Sequence, residues 1–137
     1  MKSGRKIRVL AVDDQAEMIT SMSPYFALAE QVELVAQAGS GRECLDILRT
    51  RPNDIDVVLL NIRMETPTAG LEVATEVVSG TGDLRIVFLT SYTEHTHILR
   101  ALRMGCSFLE KSIEVPRIIN VIEEVFWRDK QIVELQT

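Results

Sequence analysis

Five apolar runs of strand length, each followed by a segment with helical spacing, leave this chain few folds to adopt. The runs are Ile7 to Val12, Val32 to Ala36, Ile55 to Leu60, Ile86 to Leu89 and the short Phe108–Leu109. The third and fourth are continuously apolar rather than alternating, as in strands buried on both faces. Between the runs, Ala16 to Ala29 carries Met18, Ile19, Met22, Tyr25 and Phe26, and Arg42 to Arg49 carries Cys44, Leu45 and Leu48. Leu71, Ala74, Val77 and Val78 give a third helical stripe, and Ile98, Ala101, Leu102 and Gly105 a fourth. Val115, Ile118, Ile119, Ile122, Val125 and Phe126 make the fifth stripe the clearest. Pro116 falls in that helix's first turn, where its missing N–H does no harm. Parallel strands need crossovers of this size. The predicted fold class is therefore α/β, an open five-stranded parallel sheet with helices on both faces.

A chain of 137 residues suffices for one domain with a sizeable core. No linker, repeat or low-complexity stretch divides it, so residues 1–128 are expected to form one domain. The polar tail 129–137 either extends the last helix or begins a linker. A net charge of −5 argues against broad electrostatic binding of nucleic acid by this chain itself. No apolar run approaches a membrane span, and the run after the basic start is too short for a signal-peptide core. Cys44 and Cys106 stand far apart without a CxxC pattern, which reads as two small hydrophobes in a reducing cytoplasm.

Ligands of open α/β sheets bind at the carboxyl ends of the strands. There the first strand delivers Asp13 and Asp14, the third Asn61, the fourth Thr90 and Ser91, and the last Lys111. Adjacent carboxylates make a hard oxygen site that suits Mg²⁺. A hydroxyl and an ammonium group suit a phosphoryl group. A carboxylate at the third strand's end would complete the set as a nucleophile towards phosphorus.

The stretches "VLAVDD" (9–14), "DVVLLNIRM" (56–64), "VFLTSY" (87–92) and "FLEKS" (108–112), with "VAQAGSGRECLDIL" between the first two, resemble a response-regulator receiver domain of two-component signalling. The resemblance runs from about Ile7 to about Arg128; each motif is weak alone, and their order at successive strand ends is specific. It implies Asp14 as a direct metal ligand, Asp13 as a water-mediated one and the carbonyl of Arg63 as a third. It implies Thr90 as the switch hydroxyl, Phe108 as the aromatic residue that swings inward, and Lys111 as the partner of the acidic cluster and phosphoryl oxygens. Asn61 stands in the phosphoacceptor's place. The implied cofactor is Mg²⁺ and the implied donor a histidine kinase or other signalling protein. A homodimer through the fourth and fifth helices, and a DNA-binding output domain outside this chain, are also implied.

An amide is not a useful nucleophile, so Asn61 cannot form the acyl phosphate. It also removes a charge from the metal site, where a unit pair at ~4 Å interacts by about 4 kcal/mol at an effective dielectric of ~20. Mg²⁺ binding is expected to be weakened or absent. Other departures are the long loop "METPTAG" (64–70), Ser112 where many receivers have a cis-peptide proline, and the tight turn in "MGCSFLEK" (104–111). Asn61 either belongs to a receiver switched by something other than phosphate or replaces an aspartate by substitution; the loop differences favour the first.

Plainer readings compete. Asp13 and Asp14 alone would read as caps of the first helix, Thr90 and Ser91 as strand-end hydrogen bonders, Phe108 as core and Lys111 as a surface residue. "GSG" (39–41) reads as a turn and helix start rather than a dinucleotide fingerprint, and no GxxxxGK[ST] loop exists. His95 and His97 share no helix face and are expected to be exposed. Trp127 packs on the domain, a partner or a twin subunit. The alternatives to a signalling module are a Mg²⁺-dependent phosphatase or hydrolase using Asp13 and Asp14, and a structural domain with an empty pocket.

Overall fold

The alternating runs form β1 (Ile7–Val12), α1 (Ala16–Leu28), β2 (Val32–Ala38), α2 (Gly41–Thr50), β3 (Val57–Leu60) and α3 (Ala69–Val78). β4 (Arg85–Thr90), α4 (His95–Arg103), β5 (Ser107–Glu110), α5 (Val115–Arg128) and β6 (Val133–Glu134) follow. The computed structural model describes residues 5–80, 82–91 and 94–135. Tyr92 of "VFLTSY", the first four residues and residues 136–137 of the tail lie outside the described residues.

The sheet is wholly parallel, in the order β2-β1-β3-β4-β5-β6. β3 is buried at every position, as its unbroken apolar run requires. Val57 and Leu59 pack with Met22, Phe26, Ile118 and Ile122, the faces of α1 and α5. Val58 and Leu60 pack with Cys44, Leu71, Ala74 and Ala101, the faces of α2, α3 and α4. The pleat thus sends alternate residues into two separate cores. The strand order reverses between β1 and β3, which opens a crevice at their carboxyl ends.

Four details depart from the sequence reading. A sixth strand joins the five: Asp129 turns the chain left-handed (φ 55°) after α5 and the tail pairs with β5. Tyr25, placed on the apolar stripe of α1, is 47% exposed, because Ile19, Met22 and Phe26 fill that contact. Gly105 leaves the α4 stripe and takes a positive φ of 80° in the closing turn. There Cys106 N–H donates to Ala101 C=O and Gly105 N–H to Leu102 C=O, both at 3.0 Å, a Schellman motif that glycine permits. His97 is half-buried beside Glu94, while His95 is exposed as expected.

At the amino-terminal edge of the sheet a buried carboxylate, Asp56, fastens the chain's start to β3. It accepts Arg8 N–H at 2.8 Å, Arg8 Nε at 3.2 Å, and Arg5 Nη1 and Nη2 at 2.6 and 3.0 Å. Burial alone would raise its pKa; the hydrogen bonds from Arg5 and Arg8 outweigh that and hold it at about 2.

Candidate functional site

Three strand ends place three polar side chains in the crevice, and the ladder itself sets their positions. Asp13 N–H donates to Ala38 C=O and Asn61 N–H to Val12 C=O, both at 3.0 Å, and Lys111 N–H donates to Thr90 C=O at 2.9 Å. Each is one more rung of its strand. Asp13 and Asn61 are buried, 5% and 6% exposed. Lys111 Nζ lies 2.7 Å from Asp13 Oδ2. Asp13 Oδ1 accepts Gln15 N–H at 2.9 Å and Asn61 Nδ2 at 3.5 Å. The bond to Gln15 is an Asx turn. Neither aspartate caps α1: Gln15 holds that position without a side-chain cap.

The Asn61 amide is oriented by partners on both sides. Nδ2 donates to the Arg63 carbonyl at 2.9 Å, and Oδ1 accepts Ile62 N–H at 3.0 Å. The reverse orientation would set Oδ1 against two acceptors and Nδ2 against a donor, losing every bond. Gly70 closes the loop from behind. Its N–H donates to Ile62 C=O at 2.8 Å, and a Cβ there would stand 2.0 Å from the Asn61 carbonyl oxygen.

The long loop after Asn61 is tied back to the preceding helix, α2. Glu65 accepts Gly41 N–H at 2.8 Å and Arg42 N–H at 3.1 Å, an anion on the amino terminus of α2. Burial pushes its carboxyl up, but these backbone donors prevail and hold it below its ordinary value. Ser40 caps the same helix by accepting Glu43 N–H, and Glu43 reaches back to Gly39 N–H. "GSG" is thus a helix start. Sequence reasoning missed Glu65 because its partners lie in a different loop.

The remaining candidates separate by exposure. Thr90 is buried at the end of β4, whereas Asp14, Arg63 and Ser91 are exposed at the rim. Phe108 is fully buried, its ring 6.1 Å from that of Phe88, its ladder partner. Trp127 packs edge-on against Phe126 of its own helix. Cys44 and Cys106 are buried free thiols, pushed up by burial to about 12 and about 11; nearby Glu65 adds to the first.

The donor set for a divalent cation is two carboxylates, one amide and the Arg63 carbonyl. Both Asp13 oxygens are engaged, and the Arg63 carbonyl already holds the Asn61 N–H₂. A hydrogen-bond donor therefore points where a cation would draw the same oxygens together. Among the described residues no three His, Cys, Asp or Glu side chains form a metal-holding group. Asn61 Nδ2 lies between the Asp13 and Arg63 oxygens that would hold the ion. Among the described residues, no helix is long and apolar enough to cross a membrane.

Residues 9–123 match the family described as the response regulator receiver domain. The response regulator protein VraR of Staphylococcus epidermidis is 27% identical over 123 residues, covering 88% of this chain and 56% of the relative. VraR of Staphylococcus aureus is likewise 27% identical, over 86% of this chain and 56% of the relative. The chain thus spans about half the length of the curated relatives it matches. Among solved structures, the signal receiver domain of a NarL response regulator from Mycobacterium tuberculosis aligns with a TM-score of 0.81 at 25% identity, covering 90% of this chain and 98% of that one. A chain of the CheX–CheY–BeF₃–Mg²⁺ complex of Borrelia burgdorferi shares the fold with a TM-score of 0.80 at 20% identity, covering 90% and 92%.

Proposed function

This chain belongs to the response regulator receiver domain family, and from that premise we propose that it signals without carrying phosphate on residue 61. The observation that carries the reading is the Asn61 amide. It occupies the phosphoacceptor's place, is no nucleophile, and spends its N–H₂ on the Arg63 carbonyl and Asp13. Thr90, Phe108 and Lys111 keep the switch and phosphoryl-contacting positions, and Asp13, Asp14, Asn61 and Arg63 the metal position. Asn61 lowers the pocket's demand for Mg²⁺, because its amide and the Lys111 ammonium supply the positive ends that a cation would. Mg²⁺ is held weakly or not at all.

The module acts by docking. Its partner is a histidine kinase or another signalling protein, its homodimer face is that of α4 and α5, and its setting is the cytoplasm. In the longer protein it controls a DNA-binding output domain beyond residues 129–137, the length of the VraR relatives being the support for that. The enzymatic alternative needs Asp13 free to hold Mg²⁺ against a substrate, and Asp13 is committed on both oxygens.

Incubation of this protein and its Asn61→Asp variant with Mg²⁺ and acetyl phosphate, followed by intact mass, tests the reading. A phosphoryl group gained only by the variant is the expected result. A gain on the unaltered chain that is lost on replacing Thr90 or Ser91 would overturn it.

A further inference from the structure

A cavity of about 650 Å³ lies at the amino-terminal end of the sheet, the opposite end from Asn61 and Lys111. The chain's start, the residues ahead of β3 and of β4, and α5 line it, through Arg5, Asp56, Leu84 and Phe126. Its volume is that of sites that hold small organic molecules. A second cavity of about 320 Å³ adjoins it, and Val77, Gly80, Leu84 and Arg85 line both. Ligands of open α/β sheets bind at the carboxyl ends of the strands, so the usual site of this fold does not include this space.

The charges around the cavity do not balance. Arg5 and Arg8 converge on the single carboxylate of Asp56. Two guanidinium groups against one carboxylate leave a surplus positive charge at the inner wall, and a guanidinium bears more donors than one carboxylate takes. Asp54 lies 3.9 Å from Arg8 but is shared with Arg51, and Glu76 on the rim meets Arg49 at 3.4 Å. Arg85 adds a second observation. It stands in the wall between the two cavities, and its Nε is buried and donates to no described residue. Its Nη1 donates to the Asp83 carbonyl at 3.2 Å and its Nη2 meets Asp129 at 2.8 Å. Buried donors in folded proteins nearly always find an oxygen. The rest of the wall is apolar: Ile55 and Phe126 are buried, and Leu48, Val77 and Leu84 half-buried. The Arg5 guanidinium lies over the Phe126 ring, 5.8 Å from its centre, so charge and apolar surface adjoin.

We propose that this cavity binds a small organic carboxylate, drawn in by the surplus charge at Arg5 and Arg8, with an oxygen accepting from Arg85 and an apolar body against Ile55, Leu84 and Phe126. A single surplus charge matches a monoanion, which favours a carboxylate over a doubly charged phosphate ester. Nothing in this site depends on how residue 61 is read.

Proton–nitrogen NMR spectra of the full chain, titrated with naphthoate, naphthamide and inorganic phosphate, test it. Naphthoate is expected to shift, saturably, the amides of Arg8, Ile55 and Leu84 and the Arg85 Nε–H signal. Naphthamide has the shape without the charge, and phosphate the charge without the body; each should bind weaker by about tenfold or more. Arg5→Gln leaves Asp56 held by Arg8 and should weaken naphthoate about tenfold. Asp83→Asn removes a carboxylate from the exposed rim and should tighten it. Naphthamide binding as tightly as naphthoate would overturn the carboxylate, and phosphate doing so would overturn the apolar body. No saturable shift, shifts gathered around Lys111 instead, or an affinity untouched by Arg5→Gln would overturn the site. If Arg5→Gln loses the dispersed spectrum of a folded protein, Asp83→Asn decides alone, and an unchanged affinity there overturns the site.

Discussion

Lys111 reaches across the sheet to set its ammonium 2.7 Å from the Asp13 carboxylate, joining the end of β5 to the end of β1 over two intervening strands. With side chains 12% and 5% exposed, the pair is shielded, and each charge depends on the other. Lys111→Met strands a buried carboxylate and is expected to cost about 3 kcal/mol. Removing both charges, with Asp13→Asn added, costs less than the sum of the single losses. Urea unfolding of the four proteins gives the cycle. Additive losses would mean that the pair contributes nothing beyond its separate side chains.

Residue 61 decides how the same pocket answers Mg²⁺. In the Asn61→Asp variant a third carboxylate joins Asp13 and Asp14, and the donor to the Arg63 carbonyl disappears. The metal-free variant should unfold at a lower temperature than the parent. Mg²⁺ should restore it, by about 2.7 kcal/mol at a hundredfold excess over Kd. The parent's melting curve should stay where it is as Mg²⁺ is added. An equal response in both proteins would mean that the Asn61 amide gives up the Arg63 carbonyl and yields to the cation.

The elements of this fold were legible where one local signal sufficed. β3 announced itself as an unbroken apolar run, and α5 as a clean stripe behind Pro116. Asp13, Asn61 and Lys111 were legible as a cluster because parallel strands bring their carboxyl ends to one edge. β6 was not, since its pairing uses the main chain of Ile132 and the charge of Glu134 rather than apolar alternation. The aim of the Asn61 amide, the reach of Glu65 to α2, and the Asp56 clamp were also hidden. Glu65 and Asp56 depend on partners far along the chain, and the Asn61 amide is aimed by main-chain atoms of its own loop; no periodicity points to any of them.

Gly70 is held to its residue type by space. A methyl group there meets the Asn61 carbonyl oxygen at 2.0 Å and Ile62 Cα at 2.7 Å, both backbone atoms at the heart of the pocket. Gly70→Ala should cost about 3 kcal/mol or more. Gly39→Ala is the contrast, because its nearest neighbour is the flexible end of Glu43 at 3.8 Å; it should stay within about 0.5 kcal/mol. Denaturant midpoints compare the two. A Gly70→Ala protein as stable as the Gly39→Ala one would mean that the loop backs away from β3 freely.

Asp56 gives the fold an acid-sensitive fastening far from the pocket. Its folded pKa of about 2 lies below the ~3.9 of an unfolded aspartate. A depressed carboxylate contributes its stability above the unfolded value and loses it as pH falls towards the folded one. The contribution is therefore complete above about pH 4 and fades towards about pH 2; ~1.4 kcal/mol per unit sets its ceiling at about 2.6 kcal/mol, which solvent screening lowers to roughly 2 kcal/mol. Asp56→Asn should remove that amount at neutral pH and narrow the gap to the parent as the solution is acidified. Arg5→Gln should cost less, because Arg8 still holds the carboxylate through its backbone N–H and Nε. Urea unfolding at a series of pH values reads the difference, from which other carboxylates cancel. A gap that stays constant down to about pH 2 would show that the charge of Asp56 is not what binds the chain's start to β3.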